Sequence, residues 1–398
     1  MLSIKDFDYP LPEDRIAQYP LPERDKSKLL IYRQGTIVED LFERIPEYLP
    51  EKSALLYNDT RVINARLLFT KPSGAHIEVL CLEPFDPADY NLAFQKTGEA
   101  VWLCMVGNLK KWKNEILSLT LDTPTAPITI DARLVEHCGQ HQKVKFTWQP
   151  SDMPFGHLLE AAGFLPLPPY IKREADNIDK IRYQTIFSRL EGSVAAPTAG
   201  LHFSEKVLDQ LRHKGIHDIA ITLHVGAGTF RPVKHENVLQ HDMHSEHFYI
   251  TLETLKQLKQ YLGNTTAVGT TTLRAIESTY WLGVKLMQNP HLQNLQVNQW
   301  DYQEMPQPPV REVLDFLIQF CETKRIAGFH AETQLMIIPG YTFQLVNRLI
   351  TNFHQPKSTL LLLVAAFVGT ERWRDIYNYA LNHDFRFLSY GDSSLLIP

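Results

Sequence analysis

Between Leu67 and Trp148 the chain carries a run of strand-like segments with no long helical pattern among them, and this block limits the fold more than any other feature. The segments are Ile77 to Leu82, Ala100 to Val106, Ile116 to Leu119, Ile128 to Ile130 and Val144 to Trp148. Turn residues separate them. Short, closely spaced strands of this kind predict a small all-β barrel or sandwich.

On either side the texture differs. Leu29 to Tyr32 and Ala54 to Tyr57 are short apolar runs between polar residues, as buried strands are. Pro10 to Arg24 is rich in proline and charge and predicts an extended entry segment. After Pro154 strands and helices alternate. Ser204 caps a helix carrying Val207, Leu208 and Leu211 that stops at Gly215. The strand Ile219 to Val225 follows, then a helix from Thr251 to Gly263, a strand at Thr266 to Val268, and helices over 272–282 and 311–324. Val284 to Pro309 is rich in Asn, Gln and Pro and reads as a loop or small insertion. Alternation of this kind predicts a largely parallel sheet. The expected fold class is therefore α/β: a main mixed α/β domain built from 1–66 and 154–398, discontinuous in sequence, with 67–153 inserted as a small barrel-like β domain.

Composition narrows the function classes. With 398 residues the chain exceeds a single small core, and 44% hydrophobic with 21% charged residues is ordinary for a globular protein. The net charge of -5 gives no overall attraction to nucleic acid and leaves only local basic patches for that role. Four cysteines, none in a C-x-x-C pair, fit a reducing compartment. The longest apolar run, Leu360 to Val368, is too short for a bilayer. A cytoplasmic location with no membrane contact is the expectation.

Familiar nucleotide motifs fail on inspection. Gly226-Ala227-Gly228 opens like a dinucleotide fingerprint, but Arg231 stands where the third glycine belongs. No G-x-S-x-G elbow or H-E-x-x-H helix is present. His241, His244 and His247 share no single side of a helix or strand, so they read as polar or substrate-contact residues rather than metal ligands. What stands out is four segments at element ends: 58–61, 194–203, 224–232 and 349–359. Each sets small residues beside His, Arg, Asp or Asn. Gly200, Gly226 and Gly228 would let backbone approach a ligand closely, Thr198 is a further substrate-binding candidate, and amides at a helix start can hold an anion. Four such segments predict a site built on loops.

These segments resemble the hallmark motifs of the S-adenosylmethionine:tRNA ribosyltransferase-isomerase family. The resemblance includes Asn58-Asp59-Thr60-Arg61-Val62-Ile63, Pro166 to Ile171, Arg182-Tyr183-Gln184-Thr185, Ala195 to Phe203, Leu223 to Val233, Met243 to Glu246, Arg274, Glu277-Ser278, Thr351 to Leu362 and Ser389 to Asp392. The motifs run in family order along nearly the whole chain. Asn64, Asn347 and Gln355 depart from the usual proline, aspartate and leucine.

The resemblance implies transfer and isomerisation of the ribosyl part of S-adenosylmethionine onto 7-aminomethyl-7-deazaguanine at the tRNA wobble position. The products would be epoxyqueuosine-tRNA, adenine and methionine. It implies no cofactor beyond this co-substrate and no metal; a monomer is expected. Such chemistry asks for a base beside the sulfonium and an acid for adenine. His202, His224 and His354 are the candidates, with His202 the first choice. Asp59 and Glu277 could orient a histidine or bind hydroxyls. Arg61, Arg231 and Arg274 could hold a carboxylate or phosphate, and Tyr170 or Phe230 could face the sulfonium. Lys110, Lys111 and Lys113, around Trp112, and the basic spots at Lys172-Arg173 and Lys180 to Arg182 are candidate RNA contacts. The competing readings are an S-adenosylmethionine-dependent RNA methyltransferase and a non-catalytic RNA-binding protein.

Overall fold

The computed structural model describes residues 2–113, 115–123, 126–226, 233 and 235–398, with the side chain of Asn91 left out. Their strands form two large sheets and one small one. The first large sheet has ten strands. Its centre runs His217–Leu223, Ala54–Asn58, Thr265–Val268 and Arg348–Asn352, all parallel. Its flanks depart from the parallel expectation. Glu246–Thr251 pairs antiparallel with His217–Leu223, and Ser393–Ile397 pairs antiparallel with Arg348–Asn352. Lys28–Arg33 and Thr36–Leu41 close one edge as a hairpin. The unbroken apolar run Leu29 to Tyr32 is explained by burial on both faces, since side chains change face at every residue. Leu29 and Ile31 enter one core and Leu30 and Tyr32 the other.

Helices cover both faces. Glu205–His213, capped by Ser204 Oγ on the Val207 amide, packs Val207, Leu208 and Leu211 on one face. On the other lie Leu252–Gln260, Thr270–Gln288, Val310–Lys324, Thr359–Val368 and Arg372–Asn382. Thr270–Gln288 is longer than the sequence signal for 272–282, and every residue from Thr270 to Val284 is buried. A helix buried all round loses the one-sided stripe by which periodicity finds ends. The segment expected as loop, Val284 to Pro309, holds the end of this helix, the short strand Gln296–Val297 and the helix Asp301–Glu304.

The second large sheet draws all six strands from 66–149, in the order Arg66–Thr70, His76–Asp86, Glu99–Gly107, His141–Gln149, Ile128–Cys138 and Leu117–Leu121. Every pairing is antiparallel. Its two edge strands approach each other, so the sheet curls nearly into a barrel. Trp102, Phe69 and Phe146 fill the inside together with Phe155 and Leu158 from the helix Phe155–Ala162. The strand Ile128–Cys138 is far longer than its three-residue apolar signal, because its outer half is exposed. Among the described residues no helix is long and apolar enough to cross a membrane.

Candidate functional site

The four parallel central strands end on the same side, and three open directly into one cleft. Ligands in α/β sheets bind outside the carboxyl ends of parallel strands, where helix starts and loops converge. Thr265–Val268 leads through Gly269 into the helix Thr270–Gln288. Arg348–Asn352 leads through His354 and Gln355 to Ser358, which caps the helix Thr359–Val368 on the Leu361 amide. His217–Leu223 leads to His224 and Val225, whose carbonyl accepts from the amides of Val194 and Ala195. That pairing lays Ala195 to Ala199 across the opening. The cleft is lined by Tyr170, Thr198, Gly269, Thr270, Asn352 and His354.

Two helix starts face this space, at Thr270 and at Thr359, and both favour an anionic group. Gly269, with φ +93°, makes the strand-to-helix turn at a backbone angle that a Cβ disfavours. Beyond Thr271 and Leu360 the cleft continues into a recess closed by Arg274, Met336 and His244. Arg274 is buried and pairs with Glu246, itself 3.2 Å from His244 Nε2. Burial pushes its guanidinium down to about 10, and Nε meets no acceptor.

The three candidate histidines stand in different places. His354 lines the cleft, with Nε2 2.9 Å from Thr351 Oγ1 and its amide donating to Tyr377 Oη at 3.0 Å. Burial pushes it down to about 3. His202 lies behind the wall formed by Asn352 and Ser389, in a neighbouring pocket, with Nδ1 2.8 Å from Ser27 Oγ. Burial pushes it down to about 3, Arg386 and Arg24 adding to the effect while the Asn352 side chain opposes it. His224 is stacked on Tyr90, the first residue of the short helix Tyr90–Gln95 that joins two strands of the curled sheet, centroids 3.8 Å apart, and burial lowers it to about 4.

Thr198 and Tyr170 also line the cleft, Tyr170 Oη meeting Ser389 Oγ at 2.5 Å. Burial raises the Tyr170 phenol. The other candidates sit away from it. Asp59, raised by burial, accepts from Thr222 Oγ1 at 3.0 Å behind the strand ends. Glu277 is fully buried and accepts from Tyr341 Oη and from the amides of Gln344, Leu345 and Val346 at 2.8–3.0 Å. Those bonds occupy the carboxylate and fix the 341–346 loop. Gly200 is packed so closely that a Cβ would stand 2.9 Å from Thr185 Cγ2. Arg61 lies on a separate groove with Lys180 and Glu191. Gly226 follows Val225 at the strand end, and Gly228, Phe230 and Arg231 lie outside the described residues.

Lys110 and Lys111 sit on an exposed turn beside the buried Trp112. Of the further basic spots, Lys172 pairs with Glu13 and Arg173 with Asp179. His244 and His247 turn to different carboxylates, Glu246 and Glu332. Among the described residues no group of three His, Cys, Asp or Glu side chains could hold a metal ion. Sequence reasoning passed over Asn352, Ser389 and Glu246. Asn352 and Ser389 form the wall and Glu246 holds Arg274, and the only sequence signal was their place in quoted motifs.

A loop-built cleft at the carboxyl ends of parallel strands, polar at two helix starts and ending on a buried arginine, defines a small-molecule binding protein of the α/β class. Residues 4–396 match the family described as queuosine biosynthesis protein, and the chain belongs to that family. It is similar to the S-adenosylmethionine:tRNA ribosyltransferase-isomerase of Herminiimonas arsenicoxydans, 38% identical over 100% of this chain and 98% of the relative. It is likewise similar to that of Azoarcus sp. (strain BH72), 37% identical over 99% and 97%. Among solved structures it resembles the S-adenosylmethionine tRNA ribosyltransferase of Thermotoga maritima, 26% identical over 98% of this chain and 100% of the other, with a TM-score of 0.47.

Proposed function

We propose that this enzyme transfers and isomerises the ribosyl moiety of S-adenosylmethionine onto 7-aminomethyl-7-deazaguanine at the tRNA wobble position, giving epoxyqueuosine-tRNA, adenine and methionine. The observation that carries the reading is end-to-end kinship with enzymes named S-adenosylmethionine:tRNA ribosyltransferase-isomerase. The cleft suits the co-substrate. Its methionine carboxylate would lie at a helix start, where the backbone amides of Thr270 or Thr359 favour an anion, near Arg274, whose charge Glu246 already offsets. His354 is neutral at pH 7 and lines the same space, so it is placed to accept a proton. His202 and His224 would act from behind, through Asn352 and Tyr90. The reaction needs no further cofactor or metal, because the sulfonium itself acidifies the neighbouring C–H and supplies the leaving group.

The architecture supports 67–153 as an inserted module on a discontinuous domain of 1–66 and 154–398, since the curled sheet takes no strand from outside 66–149. A monomer acting in the cytoplasm completes the proposal. The test is stoichiometry. Adenine and methionine should appear one for one, and only when the tRNA bears the aminomethyl base. Release of S-adenosylhomocysteine instead would support the methyltransferase reading, and tRNA binding with no turnover the non-catalytic one.

A further inference from the structure

Behind the wall of Asn352 and Ser389 lies a second pocket that the reaction described above leaves unused. Arg24, Arg182 and Arg386 converge on it, with His202 and Ser27 among its inner residues. Such a gathering of like charge is costly unless something offsets it. Arg386 has Asp392 at 3.4 Å. Among the described residues Arg24 and Arg182 form no ion pair: Arg24 donates to the carbonyls of Leu201 and Ile181 at 3.3 and 2.9 Å, and Arg182 to that of Pro22 at 2.7 Å. Arg182 Nε is buried and meets no acceptor. The guanidiniums also act on each other. Arg24 is pushed down to about 10, first by burial and then by Arg182. The nearby basic residues behave differently, since Lys172 and Arg173 each have a carboxylate at 2.8 and 2.6 Å.

We propose that the pocket of Arg24, Arg182 and Arg386 is a binding site for one phosphodiester group of the tRNA substrate. A phosphate oxygen pair suits the planar guanidinium fork, and two arginines held by neutral carbonyls keep their full charge for it. The rim favours nucleic acid over a free anion. Tyr19, 56% exposed, precedes Pro20 of the pocket, and Ile181, 70% exposed, carries the carbonyl that Arg24 holds. The Arg173 guanidinium covers one face of the Tyr19 ring at 4.0 Å, so an unpaired base would stack on the opposite face. Because His202 and Ser389 line the same pocket, a bound phosphodiester would hold the RNA backbone against the Asn352–Ser389 wall of the cleft. The assignment of the occupant rests on the tRNA reading given above.

The test uses the full-length protein and tRNA bearing the aminomethyl base, with affinity measured across a salt series. Arg182→Gln should weaken tRNA binding about tenfold at 0.1 M salt and flatten the plot of log affinity against log salt by about 0.7–0.9, the value of one phosphate contact. The affinity for S-adenosylmethionine alone should stay the same. Arg182→Lys should restore the slope. Arg386→Gln gives the same readout should Arg182→Gln fail to fold. An unchanged slope in a folded variant would overturn the proposal, as would loss of S-adenosylmethionine affinity with tRNA binding intact, which would assign the pocket to the methionine carboxylate. Wild-type protein that neither binds this tRNA nor releases adenine with it would instead overturn the tRNA reading, and the phosphate with it.

Discussion

Glu277 shows how far a charged residue in a family motif can stand from the chemistry. Its carboxylate accepts three backbone amides and the Tyr341 hydroxyl inside the protein. Glu277→Gln would turn an amide N–H towards donors that need an acceptor. Each buried donor left unpaired costs about 1–3 kcal/mol, so urea unfolding should show a loss of roughly 2–4 kcal/mol. A variant as stable as wild type would contradict this account of the loop. The histidines make a different prediction at this scale. His202 and His354 are held near 3 and His224 near 4, against an ordinary value near 6.5. A group whose folded value is depressed binds fewer protons folded than unfolded, so stability falls as pH drops below about 6.5 and keeps falling towards the folded values. Each contributes about 2 kcal/mol of loss at pH 5 relative to pH 8. Urea midpoints at the two pH values should differ accordingly, and His354→Gln should narrow the gap. Equal midpoints would contradict the burial of neutral imidazoles. The same burial weakens His354 as a base, so its part in the reaction rests on its place in the cleft, and His354→Gln should slow single turnover by about a hundredfold to ten-thousandfold. A near-normal rate would remove it from the proton transfer.

At the scale of elements, the strand-to-helix turn at Gly269 sets the geometry of the cleft. Space exists for a methyl group there, with nothing nearer than 3.7 Å to the added Cβ, but the backbone sits at φ +93°. Gly269→Ala therefore strains the turn without a clash, at a cost of about 1–3 kcal/mol. The amides of Thr270 and Thr271 would shift, and the Michaelis constant for S-adenosylmethionine should rise more than turnover falls. A change in turnover alone would place the chemistry, rather than binding, at this helix start. Elements such as Lys28–Arg33 were legible as short apolar runs between polar residues, because both of their faces are buried, and the capped ends at Ser204 and Thr251 from hydroxyl residues that cap the Val207 and Thr254 amides. Two things hid from the sequence for physical reasons. The helix Thr270–Gln288 has no solvent face to mark its length. The pocket of Arg24, Arg182 and Arg386 gathers residues from three distant segments, and only the tertiary fold reveals that two of them lack a carboxylate. Of the segments singled out for their small residues and turns, 194–203 and 349–359 line the cleft, whereas 58–61 lies behind the strand ends and on a separate groove. Which of their side chains face the cleft was not legible, since Asp59 and His354 look equally polar in sequence while one lies behind the strands and the other lines the opening.

On the whole-molecule scale two sheets divide the work. The ten-stranded sheet builds the cleft, and the short helix Tyr90–Gln95, between two strands of the curled sheet, meets it where Tyr90 stacks on His224 and where Gly192 leaves room for that ring. A Cβ at Gly192 would stand 2.5 Å from His224 Nδ1, so this contact holds one geometry between the strand end and the neighbouring sheet. The central claim is that the whole assembly moves a ribosyl group rather than a methyl group. The most direct measurement supplies S-adenosylmethionine labelled separately in the ribose carbons and in the methyl group, with tRNA bearing 7-aminomethyl-7-deazaguanine. The account predicts ribose label in the tRNA and methyl label in free methionine. Methyl label in the tRNA with no ribose label would contradict it.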